Sequence, residues 1–235
     1  MAADSPNRFE LIVGLHDLAE RPDARGDELS SWMPFSEVEP VLDALVETCR
    51  QTGVRLRITS DDGFRSDYER LAPWLVERGL SGVFFVPSRF LGRPGRLSTA
   101  DLRELVALGM EIGVHGARHI NWADAAPDDF AEDVREGRQA LEEVIGRRID
   151  KVAPPFGGFN AAVLAHLEAS GFSEIHTCRP GLSLASVALK PRNMIKAGNV
   201  DAVLAVGRRL GGWGDATRCR LRRLSTVVKS RVGLS

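Results

Sequence analysis

The sequence predicts a parallel α/β fold closed into a barrel, and three observations carry that expectation. Apolar runs of about four to six residues alternate with longer amphipathic segments, strand then helix, about seven times along the chain. Such alternation implies parallel strands joined by right-handed crossovers, which a closed barrel and an open doubly wound sheet both satisfy. Polar residues gather directly after the predicted strands, at His16-Asp17, Asp61-Asp62, His115 and Pro154-Pro155-Phe156-Gly157. Parallel barrels build their active sites from those strand ends, so four clusters meeting on one face favour the barrel. The length, 235 residues, suits one such domain and is tight for two independent cores.

The elements follow in order. Leu11 to Leu15 reads as a buried strand, and Phe35 to Thr48 as a helix with Val38, Val41, Leu42 and Leu45 at spacings of three and four. Val54 to Thr59 is a second strand, and Asp67 to Arg78 a helix ended by Gly79. Val83 to Val86 is a third strand. Ser98-Thr99-Ala100-Asp101 opens a helix as a capping box. Glu111 to Val114 is a strand, Asp128 to Ile145 a long helix, and Val152-Ala153 a short strand. Helix Ala161 to Ala169, strand Glu174 to Thr177, a strand near Ala188-Leu189 and two tail helices complete the pattern.

Composition excludes several classes. Hydrophobic residues at 43% and charged residues at 27% rule out a disordered, collagen-like or disulfide-stapled chain. Three cysteines without CxxC spacing make neither a thiolate zinc knuckle nor a disulfide framework. No apolar run reaches membrane-spanning length, and Met1 to Pro6 lacks the cationic and apolar regions of a secretory signal, so the expected compartment is the cytoplasm. No stretch carries a nucleic-acid-binding signature, and no nucleic-acid partner is expected. The net charge of −1 hides an asymmetry: residues 208–235 hold eight Arg/Lys against Asp215 alone, so that the preceding chain is acidic. We therefore divide the chain into a barrel, 1–207, and a basic helical tail, 208–235. Leu221, Leu224, Val228 and Val232 form one apolar stripe on that tail, which either packs on the barrel or makes peripheral contact with an anionic membrane.

Two segments carry chemistry. Ile58-Thr59-Ser60-Asp61-Asp62-Gly63 places adjacent carboxylates at a strand end, where one can bind a metal while the other takes a proton; a polar turn is the plainer reading. His115-Gly116-Ala117-Arg118-His119 also follows a strand, and its spacing puts two imidazoles on one side of a helical turn. Together, a carboxylate and two imidazoles make a three-ligand set with open positions, as a catalytic ion has. The carboxylate that is not a ligand can then deprotonate a water.

At these residues the chain resembles the NodB-type polysaccharide deacetylases, carbohydrate esterase family 4. Thr59 to Gly63 is similar to that family's TFDDG motif, and His115 to His119 to its H-S/T-x-x-H motif. Val83-Phe84-Phe85-Val86-Pro87 is similar to its A-T-F-F-V strand, and Ala153 to Gly157 falls where the family has R-x-P-Y/F-G. The resemblance spans roughly residues 10–195 in the family's motif order. It implies a deformed (β/α)7 barrel and metal-dependent hydrolysis of an N-acyl group, acetyl or formyl, from an amino sugar or sugar conjugate. It makes Asp61 the general base and Asp62, His115 and His119 the ligands of a divalent ion, with zinc the leading candidate. Pro155, Phe156 and Gly157 would shape the substrate groove, with a backbone N–H near Phe156 on the developing oxyanion.

The chain departs from the family at several positions. Ser60 and Gly116 replace a Phe and a Ser or Thr, and Ala153 replaces the arginine that orients the catalytic aspartate. The family's D-x-x-D-W motif and its late L-x-x-H histidine have no match. His16 is the first substitute as general acid and His176 the second, while Arg192 in Lys190-Pro191-Arg192-Asn193 can supply the positive charge missing at Ala153. His166 reads as structural, and Trp32-Met33-Pro34-Phe35 as either a sugar-stacking lip or an anchoring loop. Two rival functions are a sugar-binding protein on a decayed deacetylase barrel, and a non-haem iron oxygenase, whose facial triad also uses two histidines and a carboxylate.

Overall fold

Strands buried on both faces read as unbroken apolar runs, and residues 11–15 and 83–86 at the centre of this protein are of that kind. The computed structural model describes residues 9–21, 30–196, 198–200, 203, 205 and 206. The predicted tail helices and the 207/208 boundary lie outside the described residues.

The strands are β1 (Phe9–Leu15), β2 (Arg55–Asp61), β3 (Gly82–Val86), β4 (Glu111–Val114), β5 (Lys151–Val152), β6 (Glu174–Thr177), β7 (Leu182–Leu184), β8 (Leu189–Pro191) and β9 (Asn193–Met194). The helices are α1 (Phe35–Thr52), α2 (Ala72–Glu77), α3 (Thr99–Ala107), α4 (Pro127–Ile145) and α5 (Ala161–Ala169). Parallel ladders run from β1 through β6 in chain order, then to β8. After β8 the chain switches partner: Pro191 still faces Thr177 of β6, while Asn193 and Met194 pair with Val13 and Gly14 of β1. That switch closes a seven-position parallel barrel. Asn193 secures it by donating to the carbonyls of Ile12 and Gly181 at 3.1 and 2.9 Å. Strand β7 pairs antiparallel with the start of β1.

Some elements differ from the sequence expectation. β7 and β9 have no counterpart in the sequence pattern, because strands of three and two residues are too short to show a period. The single helix expected over 67–78 is a π-helical turn, Asp67–Leu71, leading into α2. Pro73 has no N–H for an i→i−4 bond, and the Ala72 N–H bonds back to the Asp67 carbonyl in a wider turn. The capping box on α3 is present, with Ser98 Oγ accepting from the Asp101 N–H at 3.1 Å and Asp101 accepting from the Ser98 N–H at 2.8 Å. Trp32 to Phe35 does not form a stacking lip. Trp32 Nε1 donates to the Ala19 carbonyl at 2.8 Å, and Met33 is buried, so the segment anchors the loop after β1.

Two cores result. The large one lies between sheet and helices, around Leu11, Val13, Leu42, Leu45, Trp74 and Leu75. The small one, Val83, Phe85 and Ala153, fills the barrel interior. Period-2 alternation sends Glu10, Arg57, Glu174 and Lys190 to that same inner side. There Lys190 Nζ meets Glu10 at 2.8 Å, and Arg57 clasps Glu174 at 2.8 and 2.9 Å. The barrel floor is therefore a buried charge lattice, and the polar mouth sits above it.

Candidate metal centre and active site

The first functional turn begins where β2 ends. Asp61, the last residue of β2, faces the barrel interior, whereas Asp62 and Gly63 adopt φ of +72° and +62°. Aspartate tolerates the left-handed region better than most side chains, and the reversal aims Asp62 away from Asp61. Arg96 Nη1 on the Asp62 carbonyl, at 3.0 Å, and the Leu97 N–H on the Gly63 carbonyl, at 2.9 Å, hold the turn.

The second segment corrects an expectation. His115 to His119 is a loop, with Gly116 at φ +73° and His119 at φ +60°, and it is this double reversal that brings both imidazoles together. Asp133 of α4, fully buried, organises the loop. Its Oδ1 accepts from the Arg118 N–H at 2.8 Å and from Arg118 Nε at 3.1 Å, and its Oδ2 from Trp122 Nε1 at 2.9 Å. A Cβ on Gly116 would stand 2.2 Å from Asp133 Oδ2, so the glycine is required by both its φ and its neighbour.

The ligand atoms of Asp62, His115 and His119 all lie within 4.8 Å of one another. The two Nε2 atoms stand 3.3 and 3.0 Å from Asp62 Oδ1, a buried oxygen that receives no directed hydrogen bond. His115 Nδ1 faces the Ala153 carbonyl at 2.6 Å. A carbonyl only accepts, so Nδ1 carries the proton and Nε2 offers a lone pair to the cluster. Acceptor atoms converging on a buried, undonated carboxylate oxygen fit a cation with three protein ligands and open positions. Burial pushes the Asp62 carboxyl up, yet the imidazoles hold it well below the ordinary carboxylate range. Burial likewise pushes His115 down, and Asp61 and Asp62 more than reverse it.

Beside the cluster, Arg192 reaches in from the link between β8 and β9. Its Nη1 and Nη2 donate to Asp61 Oδ1 and Oδ2 at 2.5 and 2.8 Å, and Nη1 also reaches Thr59 Oγ1 at 3.2 Å. Burial raises the Asp61 pKa, but the charge and hydrogen bonds of Arg192, together with the His115 and His16 imidazoles, outweigh it and the carboxyl stays below its ordinary value. His16 lines the same cavity. Its Nδ1 is buried with no hydrogen-bond partner, and burial lowers the pKa of the ring. His176 does not line this cavity. It packs 4.9 Å from the Phe85 ring and contacts Glu174 through Nε2 at 3.1 Å, with its pKa lowered by burial to about 4. His166 packs edge-on to Phe130 at 5.1 Å.

Of the three predicted groove residues, Phe156 alone lines the cavity, which has a volume of about 890 Å³. It is 65% exposed, sits at φ +59° and places its ring 4.6 Å from that of His119. Pro155 is buried and Gly157 abuts Cys178, where a Cβ would come within 2.9 Å of the Cys178 Cβ; these two shape the turn that presents Phe156. Sequence reasoning misses Asp133 and Phe90. A signal for Asp133 exists: an acid among the buried positions Phe130, Val134, Gly137 and Leu141 of one amphipathic face. Phe90, whose ring lies 5.7 Å from His119, sits in a short 3-10 turn with no periodic signal.

Comparison with known proteins shows the family and the fold. The polysaccharide deacetylase family profile matches residues 50–175. The chain is similar to YxkH of Bacillus subtilis (strain 168), provisionally named a polysaccharide deacetylase, with 22% identity over 124 residues. That match covers 53% of this chain and 44% of YxkH, so it spans less than half of that relative. Among solved structures, IcaB from Ammonifex degensii superimposes with a TM-score of 0.73 at 22% identity, over 86% of this chain and 97% of that one. The Streptococcus pyogenes deacetylase PplD, solved in complex with acetate, gives 0.69 at 16% identity, over 84% and 97%. At these identities the superpositions speak for the fold, a deformed (β/α)7 barrel.

Proposed function

This chain belongs to the NodB-type polysaccharide deacetylase family, and on that premise we propose that it is a metal-dependent N-deacetylase acting on an N-acetyl or N-formyl amino sugar or its conjugate. The observation that carries this reading is the convergence of Asp62, His115 and His119 beside an Arg192-bound Asp61 in one open cavity. Asp62, His115 and His119 would hold the ion, and zinc suits their mixed imidazole and carboxylate donors. Such an ion supplies Lewis acidity to the acyl carbonyl and lowers the pKa of water.

The chain's own residues do the rest. Asp61, kept ionised and oriented by Arg192, accepts a proton from the attacking water. The N–H groups of Gly157 and Gly158 close the turn around Phe156, leaving the Phe156 N–H as the donor for the developing oxyanion. His16 passes a proton to the departing nitrogen. Phe156 and Phe90 flank His119 with apolar ring faces suited to stacking on a sugar.

Ala153 favours a second reading, a sugar-binding protein on a decayed barrel, because the family's orienting arginine is missing there. Against it, Arg192 supplies a bidentate guanidinium to Asp61 from another strand end. We place the activity in the cytoplasm, with the basic tail as a peripheral contact to anionic membrane. Measuring acetate and formate release from a panel of N-acylated sugars by the metal-loaded protein tests the function. Release supports the deacetylase; none from any member, with metal bound, supports the binding protein.

A further inference from the structure

Three cations line the cavity, and two of them, Arg93 and Lys196, take no part in the deacetylation chemistry or in holding the Asp62 turn. Arg93 and Arg96 lie between β3 and α3, and Lys196 follows β9. The Cζ atoms of Arg93 and Arg96 stand 4.7 and 4.8 Å from the centroid of the Phe90 ring, which is itself 5.7 Å from the His119 ring. Both guanidiniums are therefore one aromatic ring away from a ligand imidazole. Arg96 is fixed further by the Asp62 carbonyl at 3.0 Å and by the Phe64 ring at 3.8 Å. Arg93 and Lys196 have no acidic partner within ion-pair distance among the described residues. Asp61 and Asp62 are the only acids among the described lining residues, and both are committed, one to Arg192 and one to the ligand cluster.

That charge pattern discriminates between substrates. A glycan that gains an ammonium at each deacetylated unit would be repelled by this wall, whereas a phosphorylated sugar would be drawn to it. The planar guanidinium fork matches phosphate oxygens, and an aromatic platform beneath it restricts its orientation. Resting on the deacetylase reading above, we propose that the substrate is an N-acylated amino sugar bearing a phosphate or diphosphate ester. The amide would sit at Asp62, His115 and His119, and the phosphate beside Arg93 and Lys196. A sugar nucleotide, a lipid-linked diphosphate sugar and a free sugar phosphate share this chemistry.

The test compares kcat/KM of the full-length, metal-loaded protein on paired substrates. N-acetylglucosamine 1-phosphate, UDP-N-acetylglucosamine and a short-chain prenyl-diphosphate N-acetylglucosamine in detergent are set against methyl N-acetylglucosaminide and chitobiose. We expect the phosphorylated substrates to lead by roughly tenfold at low salt, as two partly exposed ion contacts allow. That lead should shrink in high salt, and in an Arg93→Gln/Lys196→Gln double variant the anionic-to-neutral ratio should collapse towards one. The best of the three phosphorylated substrates identifies the source. Equal or better turnover of the neutral glycosides overturns the phosphate proposal and leaves the deacetylase standing. Calorimetric titration with N-acetylglucosamine 1-phosphate and methyl N-acetylglucosaminide runs in parallel. If no acyl group is released from anything, the deacetylase reading fails, yet binding of the phosphate but not of the glycoside, lost in the double variant, still upholds the anion site. Equal binding of both overturns it.

Discussion

Arg192 holds both carboxylate oxygens of Asp61, at 2.5 and 2.8 Å, from the single residue that separates two strands with different partners. Its backbone N–H still bonds to Thr177 of β6 at 3.1 Å, while the next residue pairs with β1. One position therefore closes the barrel and orients the carboxylate. The pair is bidentate, and the burial of both side chains shields it from water.

Arg192→Met should separate the two effects of the guanidinium. In the wild type, Arg192 holds Asp61 ionised below the ordinary carboxylate range, so the acid limb of kcat/KM lies below that range. Without the cation, the largest opposing charge is lost while burial still raises the Asp61 pKa, so the acid limb moves to higher pH and activity at neutral pH falls. A pH–rate profile of variant and wild type checks this; a uniform drop with an unmoved limb would leave Arg192 a packing role only. Chemical denaturation should also show a loss of about 3 kcal/mol or more, because Asp61 is left buried and unpaired.

The adjacent aspartates should give opposite phenotypes. Asp61→Asn is expected to retain metal and lose about 10²–10⁴-fold in kcat, the usual contribution of a general base. Asp62→Asn, His115→Ala and His119→Ala should instead lose bound metal, read by elemental analysis of the dialysed protein, and activity with it. Full metal content and activity in any of these last three would remove that residue from the ligand set.

His16 should matter most where the leaving group is poor. His16→Ala is expected to slow an N-acetyl amide substrate far more than an acetate ester of a good leaving group, which needs little protonation. Comparing the two rates in one variant decides it. Equal losses would assign His16 to structure, for the buried, unpartnered Nδ1 would then be a packing feature.

Asp133 touches no ligand atom directly but fixes the loop that carries two of them. Asp133→Ala leaves the Arg118 N–H and Trp122 Nε1 without their acceptor, and metal affinity should fall about 10–100-fold, the usual cost of a lost outer partner. Gly116→Ala should act in the same direction, since its methyl would collide with Asp133 Oδ2. Chelator competition measures both. Unchanged affinity in the two variants would show that the loop holds its shape without α4.

The basic tail is tested by co-sedimentation with vesicles at low salt. Full-length protein should bind anionic vesicles better than neutral ones, and a chain ending at Gly214 should lose that preference, with each cation near the surface contributing about 1 kcal/mol. Indifference to lipid charge, or to truncation, would end the membrane proposal.

Several features of the fold and site are legible in the amino-acid order alone. Apolar runs announce β1 and β3 because strands buried on both faces tolerate little else, and the polar residues following β1, β2 and β4 mark the barrel mouth. The aspartate pair and the histidine pair are readable because their chemistry demands those residue types close together in sequence. The loop from His115 to His119 reads as a helical turn, since i and i+4 spacing cannot distinguish a helix from a loop with two left-handed residues.

By itself, then, the sequence determined the strand–helix alternation, the mouth of the barrel and the grouping of Asp61 and Asp62 with His115 and His119 as the residues to watch. These are local properties, written in periodicity and in short motifs. Tertiary structure alone decided which distant residues complete them. Asp133 reaches the loop of His115 and His119 only because α4 packs Gly137 against the Gly116 backbone, where a Cβ would stand 2.6 Å from its carbonyl carbon. Arg192 meets Asp61, 131 positions away in the chain, only because β8 and β9 close the barrel between β6 and β1. Sequence separation carries no information about such contacts; barrel closure and helix packing create them.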